Sequence, residues 1–376
     1  MPELRCRLIV WSYSSHTSQV STGLVMRARQ GLIRLSQEVR KTSPELPGRL
    51  RRAREAHLLL VVNDSLKLYF DMHDSRELDE EALDTCDVYF KRGFAPDSIP
   101  LRHRAKVLPL GLNYEIYPSG FDRLEAARRV VLARGPADRI GKLARAALSL
   151  MTGKTTMGRY RPEVSSMCAP PDPGRAPRVL FMTRVWDPDE ITNDSPQKIA
   201  SRIAINEMRA ECILRLRREL GARFTGGLQH TEYARRRFPA ALLEEDRLSE
   251  KGEYLRLLKT FPICIATTGL HDSNGWKLAE YVAFSKAIVT EPLCHCVPGD
   301  FSEGRNFLVF HSTAECVEKI AMLIEQPGLM RSIMENNWRY YHTYLRPDLL
   351  VKHALDAALA RRESVNTAPA GTATSS

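Results

Sequence analysis

The sequence predicts an α/β chain of two domains, and three observations carry that expectation. Strand-like apolar runs alternate with helical or polar connectors in both halves. A proline-rich stretch, Ala169-Pro-Pro-Asp-Pro-Gly-Arg-Ala-Pro177, separates the halves as a linker would. The segment Asp272-Ser-Asn-Gly-Trp-Lys-Leu-Ala-Glu280 lies between two apolar runs, Phe261–Thr267 and Ala287–Thr290, as a strand–turn–helix–strand unit.

Composition agrees with this class. The chain has 376 residues, 43% of them hydrophobic, and a length of that order suits two ordinary domains. No apolar run approaches the roughly 18 residues that span a bilayer. The start, Met1-Pro-Glu-Leu-Arg-Cys-Arg7, runs straight into a short apolar strand without the long apolar region of a signal peptide. A cytoplasmic chain is expected. Eight cysteines sit mostly inside apolar runs and read as reduced thiols. The net charge of +10 is concentrated in two stretches. Residues 27–54 hold nine Lys/Arg against two acids, and 122–161 hold ten against three. A uniformly basic nucleic-acid binder is excluded. The two stretches are either solvated Arg-rich faces or sites for phosphates, including peripheral contact with an anionic membrane.

In order, Arg7–Trp11 reads as a first buried strand and Ser12–Ser18 as a polar loop. Gly23–Val39 carries a rough helical pattern. His57–Asn63 is the clearest strand of the front half, and its continuous apolar run suits a parallel sheet covered on both faces. Asp71-Met-His-Asp-Ser75 follows as a polar loop, then strands at Asp87–Lys91 and Ala105–Gly111. Phe121–Leu150 is basic and amphipathic. The back half restarts with a strand at Arg178–Arg184. Ser195 as N-cap and Pro196 at the first helical position start a long helix that Gly221 stops. A short helix at Tyr254–Lys259, a strand at Asn306–Phe310 and a helix at Thr313–Glu325 complete the alternation. These limits give domains at 1–117 and 177–345, a connector and linker at 118–176, a C-terminal helix at 346–362 and a polar tail at 363–376.

The 272–280 segment is where ligand chemistry concentrates. A loop outside a strand's C-terminal end is where open α/β sheets bind ligands. Gly275 allows close backbone approach. A helix N-terminus suits a diphosphate, and Lys277 in its first turn is awkward for the helix dipole unless an anion is bound. Carboxylates at Asp272 and Glu280 suit sugar and ribose hydroxyls.

On these residues the chain resembles the GT-B glycosyltransferases of the "glycosyl transferases group 1" type, with their E-x7-E motif. Asp272-x7-Glu280 is similar to that motif with Asp in place of the first Glu, and Gly275 matches its glycine. Ala283–Glu291 and Gly304–Phe310 resemble the strands that follow it, and Tyr341–Arg346 is similar to relatives of spore-coat-maturation glycosyltransferases. The resemblance covers about 177–350 closely and 1–117 loosely. It implies two Rossmann-like domains facing across a cleft and a metal-independent, retaining transfer from a nucleotide sugar to a glycan, polysaccharide or lipid-linked acceptor. It places Asp272 at the donor sugar, Glu280 at the ribose, and Gly275 and Lys277 at the diphosphate. Thr183-Arg184 matches the family's Gly-Arg, so Arg184 would neutralise the leaving diphosphate. The family's following lysine has no clear match; Lys198 and Arg202 are candidates. Ser14–Ser18 stands where the family has a Gly-Gly loop.

The front half should supply catalytic or acceptor groups. Asp71-Met-His73-Asp74 is the preferred cluster: His73 or Asp71 as base if the reaction inverts, His73 as a hydrogen-bond partner of the donor sugar if it retains. His16 and Asp74 are weaker acceptor candidates. Lys91-Arg92 either meets an anionic acceptor or is a solvated strand end. Cys294-His295-Cys296 with His271 fits no common zinc site. The alternatives to a transferase are a sugar-nucleotide epimerase on the same fold and a non-catalytic GT-B-like binding protein.

Overall fold

The computed structural model describes residues 4–11, 14–40, 54–120, 136–137, 139–141, 143–144, 160–190 and 195–367. The basic stretch at 122–161 and the polar tail beyond 367 fall largely or wholly outside these residues, as do positions 41–53 of the first basic stretch.

The front half forms a six-stranded sheet: β1 (Leu4–Val10), β2 (Ile33–Val39), β3 (His57–Val62), β4 (Leu66–Asp71), β5 (Val88–Lys91) and β6 (Val107–Pro109), in the order β2-β1-β3-β4-β5-β6. Helix α1 (Ser18–Arg29) follows β1 and α2 (Glu80–Thr85) precedes β5. Two expectations change here. The helix expected over 23–39 ends at Arg29, and Ile33–Val39 is strand β2, parallel to β1. Gly31, at φ +70°, turns the chain between them. The second change concerns β3, which runs antiparallel to both β1 and β4. Asn63 and Asp64 adopt left-handed φ of 49° and 60°, a conformation these two residues tolerate, and close a tight hairpin. The front domain is therefore a mixed sheet rather than a wholly parallel one.

The back half forms β7 (Val179–Thr183), α3 (Pro196–Leu220), β8 (Phe224–Leu228), α4 (Glu232–Arg237), α5 (Lys251–Thr260), β9 (Ile263–Ala266), α6 (Trp276–Ala283), β10 (Ala287–Thr290), β11 (Phe307–Val309), α7 (Thr313–Glu325), α8 (Pro327–Tyr340) and α9 (Pro347–Thr367). Ser195 caps α3 by accepting from Lys198 N, and Gly221 ends it at φ +51°. Every strand pair is parallel, in the order β8-β7-β9-β10-β11. The order is two-one-three-four-five in chain sense. It reverses between β7 and β9, and the crevice at such a reversal is the ligand position of doubly wound sheets. Two apolar cores, one per face, cover the sheet.

The halves are tied at three levels. Leu112, Tyr114 and Ile116, just after β6, are buried in a back-domain core with Tyr281 and Tyr341. Helix α9 returns to the front domain, where Leu350, Val351, Ala354, Leu355 and Ala358 join the core of β1, β3 and α1. The loops leaving the C-terminal ends of β4 and β5 meet the loops leaving those of β9 and β10. Gln19 Nε2 also donates to Leu345 O at 2.9 Å.

Helix α9 can seat only because Gly23 has no side chain. A Cβ there would stand 2.0 Å from Pro347 O and 2.6 Å from Val351 Cγ2. Gly23→Ala should cost about 1–3 kcal/mol by overpacking. Chemical denaturation measures the loss, and limited proteolysis should cut first in 347–367. Unchanged stability would mean that α9 does not dock as described.

Candidate active site

In the front domain, Asp71 ends β4 and is 1% exposed. Its Oδ2 accepts from Tyr89 Oη at 2.6 Å and Lys91 Nζ at 2.8 Å, and its Oδ1 accepts from His73 N at 2.9 Å. His57 Nε2 lies 3.3 Å from Oδ1. Burial pushes the carboxyl up, but Lys91 and His57 outweigh it and hold it well below the usual carboxylate range. An anion so enclosed cannot collect a proton from an acceptor. The structure thus removes Asp71 from the base candidates and makes it the anchor of the 72–75 loop. Lys91 is equally buried, so it is neither a solvated strand end nor an acceptor contact.

His73 projects from that loop with its ring edge-on to His57 at 4.9 Å. Asp74 pairs with Arg92, the residue after β5. Arg92 is 5% exposed, and its Nη2 donates across the domain boundary to Asn274 O at 3.0 Å. Arg76 lies 3.7 Å from Asp272. His16 stands edge-on to Trp276 of the back domain at 5.1 Å, and Asn113 Nδ2 donates to its carbonyl. Cys296 N donates to Phe94 O at 2.9 Å. The 71–76 loop and the 272–276 segment therefore face each other, with His16, His73 and Arg92 beside them. Burial and Arg92 push the His16 pKa down, Asp74 pulls it up, and His73 lowers it further.

In the back domain, the reversal point is organised by α3. Its buried face carries Arg202, Asn206 and Arg209 where apolar residues are usual. Asn206 exchanges two hydrogen bonds with the Trp186 backbone, and Arg202 donates to Pro188 O. Arg209 donates to Thr267 Oγ1 (3.0 Å), Arg184 O (2.7 Å) and Thr268 O (2.8 Å), so one guanidinium ties the ends of β7 and β9 together. Burial lowers its pKa to about 10, with Glu291 opposing and Arg184 adding to the shift, so it stays charged at neutral pH. Glu291 Oε2 accepts from Thr268 N and Oγ1. Arg184 is exposed, with its guanidinium over the Trp186 ring. Thr183 is half-buried, and its carbonyl accepts from Gln229 N.

The loop from β9 to α6 carries the remaining candidates. His271 and Asp272 hold left-handed φ of 62° and 55°, a conformation uncommon outside glycine though open to these two residue types. Asp272 is exposed. Gly275 opens α6 with an ordinary φ of −65°, and a Cβ there would touch only Thr267 O at 3.7 Å. Among the described residues nothing requires glycine at this position. No side chain caps α6. A narrow recess, too tight to hold a water molecule, lies between α6 and the ends of β9 and β10, lined by Thr267, Thr268, Asn274 and Gly275 among others. Lys277 packs its ammonium 3.8 Å from the Tyr254 ring centre, and burial lowers its pKa to about 8 against the pull of Glu280. Glu280 is 1% exposed and pairs with Lys251. Among the described residues its second oxygen, Oε2, has no hydrogen-bond partner.

Arg209 and Glu291 were not assigned to the site from the sequence, which left Arg92 between an anionic-acceptor contact and a solvated strand end. For Arg209 the signal was present. Arg202, Asn206, Arg209, Ile213 and Leu216 recur at helical spacing, which puts Arg209 on the buried face. Among the described residues no group of three His, Cys, Asp or Glu side chains could hold a metal ion, and Cys294 and Cys296 are exposed free thiols. Among them, too, no helix is long and apolar enough to cross a membrane.

Residues 209–348 match the family model described as "Glycosyl transferase-like". No curated protein matches the chain. Solved structures resemble it at low identity. The Anabaena protein HepE, solved with UDP-glucose, is 9% identical, covering 95% of this chain and all of its own, with a TM-score of 0.37. Sucrose-phosphate synthase from Thermosynechococcus elongatus is 11% identical over 93% and 92%, at 0.36. The C-terminal domain of LpcC, a glycosyl transferase group 1 family protein from Francisella tularensis, is 12% identical over 47% and 96%, at 0.31. These superpositions are loose. The family match begins at Arg209 and spans β8 to the start of α9. The family match thus covers most of the back domain, and each half of the chain is built on one α/β sheet.

Replacing Asp71 with Asn would leave Lys91 buried without its counter-ion, at a cost of about 3–5 kcal/mol. The sign of the pH effect follows from the depressed folded pKa. Asp71 contributes its full stability above its unfolded value near 3.8 and loses it as the pH falls further. Urea titrations at pH 7 and pH 3 should show wild type losing part of this contribution and Asp71→Asn losing less. Equal acid sensitivity of the two proteins would count against the buried pair.

Proposed function

We propose that this glycosyltransferase-type chain moves a sugar from a nucleotide-sugar donor to a glycan, polysaccharide or lipid-linked acceptor, with retention at the anomeric carbon. The observation that carries the proposal is the convergence of Arg184, Arg209 and the start of α6 on the β7/β9 reversal point, inside or next to the family-matched region. The donor specificity fits a UDP-sugar, the ligand class solved with HepE.

In this reading the diphosphate lies along the N-terminus of α6. Backbone N–H groups and the helix dipole meet it there. Gly275 leaves room for it. Arg184 is exposed and held in place from behind by Arg209 at its own carbonyl, so it can stabilise the charge that grows on the leaving nucleoside diphosphate. Asp272, exposed at the tip of the loop, addresses the donor sugar. Glu280 reaches the ribose through its unpartnered Oε2. On the facing domain His73 hydrogen-bonds the donor sugar, and His16 and Asp74 border the acceptor side. Asp71 is unavailable as a base, so a retaining course assisted by donor-sugar contacts fits better than base-driven inversion. The reaction needs no metal, because Arg184, Lys277 and the helix dipole supply the positive charge. A cytoplasmic chain that touches membranes through its basic stretches suits a lipid-linked acceptor.

Three measurements test this reading. Arg184→Ala should lower turnover roughly 100- to 1,000-fold while the circular dichroism spectrum and melting temperature stay unchanged. Full activity would remove Arg184 from the site. UDP affinity, by calorimetry, should weaken as the pH rises through about 8, where Lys277 gives up its charge, and Lys277→Gln should flatten that dependence. EDTA should leave UDP-sugar turnover intact, with the product anomer read by NMR. An inverted product would overturn retention.

A further inference from the structure

The role of Arg92 follows from its partners, and it rests on the donor assignment above. We propose that Arg92 is a positioning residue that ties the donor-binding loop of the back domain to the histidine-bearing loop of the front domain, keeping the two halves of the reaction site in register. Its guanidinium is a fork, and each arm serves a different domain. Nη1 takes Asp74, one residue after His73, and lies 3.5 Å from Met72 O. Nη2 takes Asn274 O, the carbonyl just before Gly275 and the start of α6.

The neighbouring residues are shaped for this contact. Gly93 lets the 74–75 backbone press against the end of β5, since a Cβ there would stand 2.5 Å from Ser75 O and 2.9 Å from Asp74 O. Phe94 O accepts from Cys296 N, and Asn274 Nδ2 donates to His295 O at 2.9 Å. Arg92-Gly93-Phe94 is thus a seam on which both back-domain loops dock. The left-handed pair His271–Asp272 lies one residue short of the clamped Asn274, as expected where surrounding contacts over-determine a loop. A solvated arginine needs none of this. A lysine has no fork with which to hold a carboxylate on one side and a carbonyl on the other.

The contact also has an electrostatic consequence. The charged and titratable groups facing His16 are Arg92, Asp74 and His73, and burial adds to the effect of Arg92. Arg92 therefore favours a neutral His16 ring at the front-domain edge of the cleft, and Asp74 opposes it.

Three variants test the proposal: Arg92→Lys, Arg92→Gln and Asp74→Asn. Turnover of UDP-glucose should fall roughly 100-fold in Arg92→Lys, because a small misplacement of reacting groups costs that much. UDP affinity should change less than about threefold, giving a loss in kcat rather than in binding. NMR titration of His16 needs no ligand. It should move up in Arg92→Gln, stay near wild type in Arg92→Lys and move down in Asp74→Asn. A bystander that only fills space predicts no such opposite pair. Wild-type turnover in both Arg92 variants, or a His16 titration insensitive to both Arg92→Gln and Asp74→Asn, would overturn the proposal. Failure of the wild-type protein to bind UDP would instead sink the donor assignment, and the His16 titrations would still judge the Arg92 contact.

Discussion

One buried carboxylate organises the front half of the site. Asp71 lies where β4 ends, in surroundings that would neutralise an isolated acid. It stays ionised because Lys91 from the neighbouring strand, the Tyr89 hydroxyl and the His73 amide all converge on it. The pair also fixes geometry. Lys91 and Asp71 are register partners in the β4–β5 ladder, so their contact locks the two strand ends side by side. The next residues along each chain, Met72–Asp74 and Arg92–Gly93, then have little freedom in where they go. His73 and Arg92 owe their positions to this anchor, and through Arg92 so does the Asn274 carbonyl of the other domain.

The back domain uses a related device with a different sign. Polar side chains on the buried face of α3 hold the loop that follows β7. Asn206 fixes the Trp186 backbone, and Arg209 fixes the Arg184 carbonyl together with Thr267 and Thr268. A helix face that would ordinarily be apolar instead shapes the crevice at the sheet's reversal point. Arg184 is exposed yet not loosely placed, because its backbone is held from below.

Much of the back domain was legible in the sequence because its signals are local. Continuous apolar runs gave β7, β9, β10 and β11, and Ser195-Pro196 and Gly221 marked both ends of α3. The front domain was harder for a physical reason. The β3–β4 hairpin depends on a turn, Asn63-Asp64, whose left-handed backbone is permitted rather than demanded by its residues. Ile33–Val39 sets Ile33, Leu35 and Val39 among polar side chains in a way that suits a half-buried strand as well as a helix. At the site, sequence distance decided what could be seen. Asp272 and Gly275, with the start of α6, form one contiguous stretch and were read together. Arg92 with Asn274 are 182 residues apart and Arg209 with Thr267 are 58, so only the fold reveals those pairs. Asp71 and Lys91 looked like solvent-facing chemistry because charge in a sequence carries no sign of burial.

Arg92 and Arg209, both buried, differ in a way that bears on function. Arg92 has a carboxylate partner in Asp74, so its charge is largely cancelled where it sits. Arg209 donates only to two carbonyls and a hydroxyl, which satisfy its hydrogen bonds but leave its charge. Glu291 is close enough to raise its pKa, yet spends its hydrogen bonds on Thr268. A desolvated cation without a paired anion is expensive, and an apolar side chain of the same volume would brace the two strand ends at less cost. What an apolar side chain could not do is project positive potential into the crevice, where low dielectric strengthens it. Arg184 adds its charge at the crevice mouth, and its repulsion adds to the burial that lowers the pKa of Arg209. A doubly charged anion set between these arginines and the α6 N-terminus would relieve that repulsion, which is the electrostatic support this corner gives to the proposed diphosphate position.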